Sequence, residues 1–183
     1  MRVISGAARG RKLLEPVGHD IRPTADMVKE SIFNMIQFDI EGRRALDLFA
    51  GTGQLGIEAL SRGARDAVFV DMDPAAVKLI RGNLKICGFT ESATVYARDA
   101  LRFLEGGAIK NAKFDLIFID PPYDSIYACE AIQKILKFDK LVTNGIMICE
   151  MGADRLVPAV SPPYFLCKCY KYGRVNVSRY SRG

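Results

Sequence analysis

Asp120-Pro121-Pro122-Tyr123 follows the apolar run Phe114–Ile119 and is the most chemically defined group of residues in the chain. Two prolines fix φ and remove two backbone donors, so the turn is stiff and its carbonyls are free to accept. The residue before each proline is pushed to extended geometry. An exocyclic amine on a purine is a poor nucleophile, because its lone pair is delocalised into the ring. Two acceptors aimed at its N–H bonds, the Asp120 carboxylate and a carbonyl such as that of Pro121, draw the nitrogen toward tetrahedral geometry. The lone pair then becomes available to an electrophilic carbon. Tyr123 offers a ring on which the base can stack. No strong base is required, since the alkylated amine sheds its proton readily, and positioning with preorganised dipoles carries the catalysis. Taken alone, the tetrapeptide also reads as a proline-stiffened loop with an aromatic plug. Its place after a strand favours the chemical reading.

A second motif supplies a partner for that chemistry. Gly51, Gly53 and Gly56 form G-x-G-x-x-G between the apolar run Ala45–Ala50 and a helical pattern through Ile57 and Leu60. Glycines there allow a tight turn and close approach of a ligand to bare backbone. Asp71 lies 20 residues after Gly51, a spacing that suits a carboxylate accepting from both hydroxyls of a ribose. The expected ligand is adenosine-like. A nicotinamide dinucleotide shares this fingerprint. Asp47, four residues before Gly51, favours another ligand: it would repel the phosphates of a dinucleotide but could hold the ammonium of S-adenosylmethionine. Asp73 reads as a further site acid or as a helix N-cap before Pro74. Asp99 and Ala100 either bond the adenine edge or open a helix, with Asp99 as its cap.

These residues need a frame that brings strand ends together. Residues 2–14 read as two short strands around a Gly-rich turn, and Arg22-Pro23-Thr24 as a helix start with Thr24 as N-cap and Asp26 in the first turn. Val28, Ile32, Met35 and Ile36 share one helical stripe, and Gly42 ends the segment. From Ala45 onward strands and helices alternate: Ala45–Ala50, Ala67–Asp71, a helix from Pro74 to about Ile86, Ala93–Asp99, Phe114–Asp120, a helix over Ala128–Leu136, and Gly145–Glu150. That alternation predicts a parallel sheet covered on both faces. Phe165–Gly173 and Arg174–Tyr180 alternate in period two with no helix between them, an antiparallel hairpin added to the sheet. Glu105–Lys113 and Asp154–Pro163 read as loops. The expected class is α/β, a Rossmann-like, mostly parallel seven-stranded sheet flanked by helices, with a small N-terminal hairpin and helix. One domain is expected, residues 1–41 being an extension and 42–183 the core.

Of 183 residues, Lys and Arg number 26 against 21 Asp and Glu, giving +5 and a pI near 9.0. The basic residues gather at the ends: Arg2, Arg9, Arg11, Lys12, Arg22 and Lys29, then Lys168, Lys171, Arg174, Arg179 and Arg182. This arrangement suits a polyanion held beside a more neutral core, or a solvated surface; charge alone leaves both open. Five cysteines, an odd number, read as reduced core thiols of an intracellular protein. On a strand Cys167 and Cys169 would share one face. Cys167-x-Cys169 lacks the second Cys or His pair of a zinc set, and the only histidine is His19, so no metal site is expected. No apolar run is long enough to span a bilayer, and no signal peptide is legible. The expected location is the cytoplasm.

Taken together, Arg2–Leu13, Arg22–Ile36, Asp47–Ala64, Val68–Asp73 and Asp115–Tyr123 resemble the bacterial 16S ribosomal RNA guanine-N2 methyltransferase family of the RsmD type, over nearly the whole chain. The resemblance implies S-adenosylmethionine as cofactor and one guanine of small-subunit rRNA as target, in free RNA or an assembly particle. It implies that Asp47, Phe49, Ala50, Gly51, Gly53 and Gly56 line the methionine end of the cofactor, that Asp71 holds the ribose with Met72 against the adenine, and that Asp99 and Ala100 border the adenine edge. Asp120, Pro121, Pro122 and Tyr123 would hold the guanine. Arg2, Arg9, Arg11, Lys12, Arg22, Lys29 and Arg174 would meet phosphates. A monomer without metal or membrane attachment is expected. Two positions depart from the family's pattern: Asp71, where Glu is also common, and Gln54, where a small residue is frequent. An adenine-N6 methyltransferase on DNA or another RNA is the alternative, since D-P-P-Y alone does not separate the two. A non-catalytic RNA-binding assembly factor is the reading from another class.

Overall fold

Runs of Val, Ile, Leu and Phe bounded by Gly, Pro and Asp build the centre of the molecule. In the computed structural model residues 1–16, 23–106, 111–122 and 126–183 are described, residues 23–26 by backbone alone. Arg22, Tyr123 and His19 therefore lie outside the described residues, as do the side chains of Thr24 and Asp26. The elements are α1 (Pro23–Met35), β1 (Arg44–Leu48), α2 (Gln54–Ser61), β2 (Asp66–Asp71), α3 (Pro74–Cys87), β3 (Ala93–Ala97), α4 (Ala100–Glu105), β4 (Phe114–Ile119), α5 (Tyr127–Lys137), β5 (Leu141–Gly152), β6 (Tyr164–Tyr172) and β7 (Val175–Arg182). The strands form one seven-stranded sheet in the order β3-β2-β1-β4-β5-β7-β6. β1 to β5 pair in parallel, and β7 joins β5 and β6 antiparallel. The strand order reverses between β1 and β4, the point at which open α/β sheets bind ligands beyond their carboxyl ends.

Two apolar layers cover the sheet. Leu55, Ile57, Ile80 and Leu84 of α2 and α3, with Val28, Ile32 and Phe33 of α1, pack on Ala45, Phe69 and Phe118. On the other face Phe103 and Leu104 of α4 and Ile132 and Ile135 of α5 pack on Leu46, Leu48, Ile117 and Ile119. Period-two alternation along β1 therefore sends Asp47 toward α2. No described helix is long and apolar enough to cross a membrane.

Several boundaries differ from the sequence reading. α1 begins at Pro23, so Thr24 is its second residue, and it ends at Met35, well before Gly42. Ala100–Glu105 is helical, with Asp99 as N-cap accepting from Arg102 N at 2.8 Å. β5 starts at Leu141 because a register shift between Phe114 and Leu116 accommodates the residues before Gly145. Residues 2–14 form a single antiparallel bridge, Arg2 to Lys12, in place of two strands. The middle of the arm bonds outward: Ile4 N and Ser5 N reach the Glu58 carboxylate at 2.7 and 3.0 Å, and Ala7 N and Ala8 N reach Ser61 O and Oγ at 2.7 and 3.0 Å. Gly6 has φ +84°, and a Cβ there would stand 1.7 Å from Ser61 O. The arm is thus fastened onto α2 while its own turn is closed by bonds such as Val3 N to Arg11 O at 3.0 Å and Gly10 N to Val3 O at 2.9 Å. Cys149 is the one buried cysteine, while Cys167 and Cys169 are exposed. A bulge between Leu166 and Lys168 turns them to opposite faces: Cys167 Sγ lies 2.9 Å from Ser181 Oγ, and Cys169 Sγ accepts from Ser178 Oγ at 3.4 Å.

Candidate active site

The register of the two central strands sets the site. Leu48 of β1 pairs with Ile119 of β4, so Phe49 and Asp120, the residues that follow, emerge side by side at the switch point. Phe49 takes φ +59°, unusual for a side chain of its size. Its ring stacks on Tyr127 at the start of α5, with centroids 6.0 Å apart and planes at 16°. Pro121 is buried and Pro122 exposed, so the described part of the corner presents one proline inward and one outward.

The glycine turn is held by carboxylates. Asp47 is 1% exposed, and its Oδ2 accepts from Gly56 N at 2.8 Å. Gly53 is the N-cap of α2 in a left-handed conformation, φ +78°. At Gly56 a Cβ would fall 2.3 Å from the Phe69 ring and 3.2 Å from Asp47 Oδ2, so only glycine lets the helix start close over β1 and β2. Asp71 Oδ2 accepts from Gly51 N at 2.8 Å and Oδ1 from Asp73 N at 2.9 Å. Each carboxylate oxygen keeps a second lone pair, which a ribose hydroxyl could use. Asp73 caps α3 by accepting from Ala75 N at 2.9 Å, as Asp99 caps α4. Met72 is 70% exposed beside Asp71, and Ala100 is buried at the start of α4.

Acids crowd this end of the sheet. Burial pushes the Asp47 carboxyl up to about 8, opposed by the Gly56 N–H and reinforced by the charge of Asp71. Asp120 is likewise raised well above the usual carboxylate range, first by burial, then by the charges of Glu150 and Asp47. Glu150, 7% exposed on β5, is a site acid that the sequence reading did not single out, because it looked like one more residue of a strand. Tyr127 was missed for a similar reason: its partner Phe49 is far away in sequence.

The basic residues divide. Arg2, Arg9, Arg11, Lys12 and Arg174 are exposed, and Arg2 and Arg9 line a cleft with Glu30 against α1. Lys29 does not join them. It is 1% exposed, and its ammonium donates to the Arg2 carbonyl at 2.6 Å. It fastens the arm to α1, a correction to its expected place among surface cations.

The family described as "Conserved hypothetical protein 95" matches residues 1–181. YlbH of Bacillus subtilis is 41% identical over 182 residues, covering 100% of this chain and 99% of that protein. Ribosomal RNA small subunit methyltransferase D of Escherichia coli K12 is 33% identical over 100% of this chain and 90% of its own length. The solved structure of the E. coli protein yhhF superposes with a TM-score of 0.87 at 31% identity, covering 100% of this chain and 97% of that one. The chain belongs to this family, that of the RsmD-type ribosomal RNA methyltransferases.

Proposed function

We propose that the chain transfers a methyl group from S-adenosylmethionine to the exocyclic N2 amine of a guanine in small-subunit ribosomal RNA. The observation that carries the reading is the pairing of Leu48 with Ile119, which sets the Asp120 corner directly beside the glycine turn. Family membership supports methyl transfer to rRNA as the general activity. The cofactor also fits the electrostatics. The charge of Asp71 raises the proton affinity of Asp47, and those of Glu150 and Asp47 raise that of Asp120, a crowd of acids that a ligand with an ammonium and a sulfonium would relieve. Asp47 and the Gly51–Gly56 turn would hold its amino-acid end, Asp71 its ribose, and Met72, Asp99 and Ala100 its adenine. When bound, it supplies a methyl carbon attached to positively charged sulfur.

The rest of the mechanism is the work of this chain's own groups. Asp120 and the Pro121 carbonyl accept from the two amine hydrogens and point the nitrogen lone pair at that carbon. Burial and the neighbouring acids raise the proton affinity of Asp120; the positive charge of the bound cofactor would favour its ionised, accepting form. After transfer the nitrogen is acidic and gives up its proton to Asp120 or to water. The Phe49–Tyr127 stack would form one side of the corner. Exposed Arg2, Arg9, Arg11, Lys12 and Arg174 would hold phosphates, and Arg22 and Tyr123 stay in the reading as family counterparts. The reading takes the protein as a cytoplasmic monomer.

Incubation with small-subunit rRNA, free and in particles, and isotopically labelled S-adenosylmethionine tests it, with nucleosides mapped by mass spectrometry. N2-methylguanosine is the expected product. N6-methyladenosine would transfer the reading to the adenine class, and cofactor binding without any methylated nucleoside would support an assembly factor.

A further inference from the structure

β6 is one of the two edge strands of the sheet, and every residue from Phe165 to Lys171 is exposed. An edge this open usually invites pairing with another chain. Here the composition points elsewhere. After Asp154 the chain has no acidic residue, while Lys168, Lys171 and Arg174 stand exposed on or just after β6. Arg179 and Arg182 of the neighbouring strand are engaged with Asp39 and Asp139. In an edge-to-edge pairing with a second copy, like charges would oppose one another, and the bulge at Cys167 breaks the ladder that such pairing needs.

Register defines what this surface shares with the active site. Ile119 pairs with Cys149, Cys149 with Ser178, and Ser178 with Cys169. β6 therefore runs parallel to β4, and Tyr170 follows Cys169 as Asp120 follows Ile119. The carboxyl end of β6 lies on the catalytic edge of the sheet, three strand spacings or about 14 Å from the Asp120 corner. Tyr170 and Tyr172 share one face, opposite Val177 and Val175, with ring centroids 6.4 Å apart. Tyr172 is half-buried against the core, while Tyr170 is 42% exposed. Lys168 and Phe165, opposite Arg179 and Ser181, lie on that same face.

We propose that Phe165, Lys168, Tyr170 and Tyr172, flanked by Lys171 and Arg174, form a stacking track for a single-stranded segment of the RNA whose base enters the Asp120 corner. Tyrosine faces take bases of any identity and the lysines take phosphates, as in other single-strand tracks. The proposal rests on the reading of RNA as substrate and adds a second contact surface to the amino-terminal arm. A photoreactive phenylalanine at position 170, with Tyr170→Ala and Lys168→Gln/Lys171→Gln variants of the full chain, tests it against a single-stranded oligoribonucleotide of about a dozen nucleotides and its duplex. The expected results are a crosslink to the single strand, affinity lowered about tenfold by Tyr170→Ala, and a salt slope reduced by about 0.7 for each lysine removed. Cofactor affinity should not change. A crosslink to a second copy of the chain, or single-strand affinity within twofold of wild type in both variants, overturns the track. These outcomes do not depend on turnover. Failure of the wild type to methylate rRNA would count against the proposed activity, while the crosslink still judges the track.

Discussion

Asn83 and Thr52 are joined by a hydrogen bond of 2.9 Å from the Asn83 side-chain amide to the Thr52 carbonyl. The same side chain holds Leu14, accepting from its N–H at 2.6 Å and donating to its carbonyl at 3.1 Å. Asn83 is fully buried on α3. One amide thus ties the amino-terminal arm to the glycine turn, the proposed cofactor site. Asn83→Ala leaves Leu14 and Thr52 with unsatisfied backbone groups and should cost about 2–4 kcal/mol. It should also weaken S-adenosylmethionine binding about tenfold. Denaturant unfolding and calorimetric titration read the two effects; a destabilised variant with unchanged cofactor affinity would remove Asn83 from the site.

Glu58 does for the arm what Asn83 does for the turn. Its carboxylate is fully buried, accepts from Ile4 N and Ser5 N, and pairs with Arg62 at 2.8 Å. Glu58→Gln keeps the shape but turns an N–H donor toward backbone donors. A loss of about 1–3 kcal/mol is expected. Binding of rRNA should weaken while the affinity for S-adenosylhomocysteine is kept, measured by filter binding and calorimetry. Undiminished RNA binding would detach the arm from the RNA site.

Gly56 admits no side chain. In Gly56→Ala the new methyl would meet the Phe69 ring and the Asp47 carboxylate. Overpacking of this kind should cost about 1–3 kcal/mol and displace the start of α2. Thermal unfolding should shift downward, with cofactor binding impaired. A variant of wild-type stability and affinity would mean that the turn is looser than described.

Asp47 makes cofactor binding depend on pH. Its carboxyl is raised from 3.8 to about 8 by burial, so the folded chain holds this proton more tightly than the unfolded chain across that interval. The associated stability is fully present below the lower value and is lost as the pH rises through the upper one. A positively charged ligand lowers the folded value and releases the proton. Between pH 6 and 7.5, affinity for S-adenosylmethionine should therefore rise with pH, and titrations in buffers of different ionisation enthalpy should report proton release. Asp47→Asn should remove most of this dependence. Proton uptake on binding by the wild type would contradict the placement of positive charge beside Asp47.

The parts of the site that were legible in the sequence are those whose function depends on local backbone. Gly51, Gly53 and Gly56 with Asp71 announce a turn and its acid, and the prolines after Asp120 announce a stiff strand end. The strand and helix alternation gave the sheet because β1, β2 and β4 are buried on both faces and so carry continuous apolar runs, while β3 at the edge is only partly buried. What stayed hidden depends on partners distant in sequence. Glu58 and Asn83 look like surface residues of helices, yet each bonds backbone more than 50 residues away. Lys29 reads as one more cation until the Arg2 carbonyl is seen against it. Residues 2–14 carry strand-like composition, but the donors of Ile4, Ser5, Ala7 and Ala8 go to α2, and only the Arg2–Lys12 bridge remains of the hairpin. The opposite orientation of Cys167 and Cys169 follows from a bulge that period-two counting cannot see.

The central claim is that Asp120 activates the amine and does not hold the cofactor. It is tested most directly by Asp120→Ala, with turnover on rRNA and affinity for S-adenosylhomocysteine measured on the same preparation. Methyl transfer should fall by about three orders of magnitude, the size expected for loss of a preorganised polar group at a reacting atom, while the neutral product analogue binds within about twofold of wild type. Near-normal turnover in this variant, or loss of product-analogue binding in step with activity, would contradict the account.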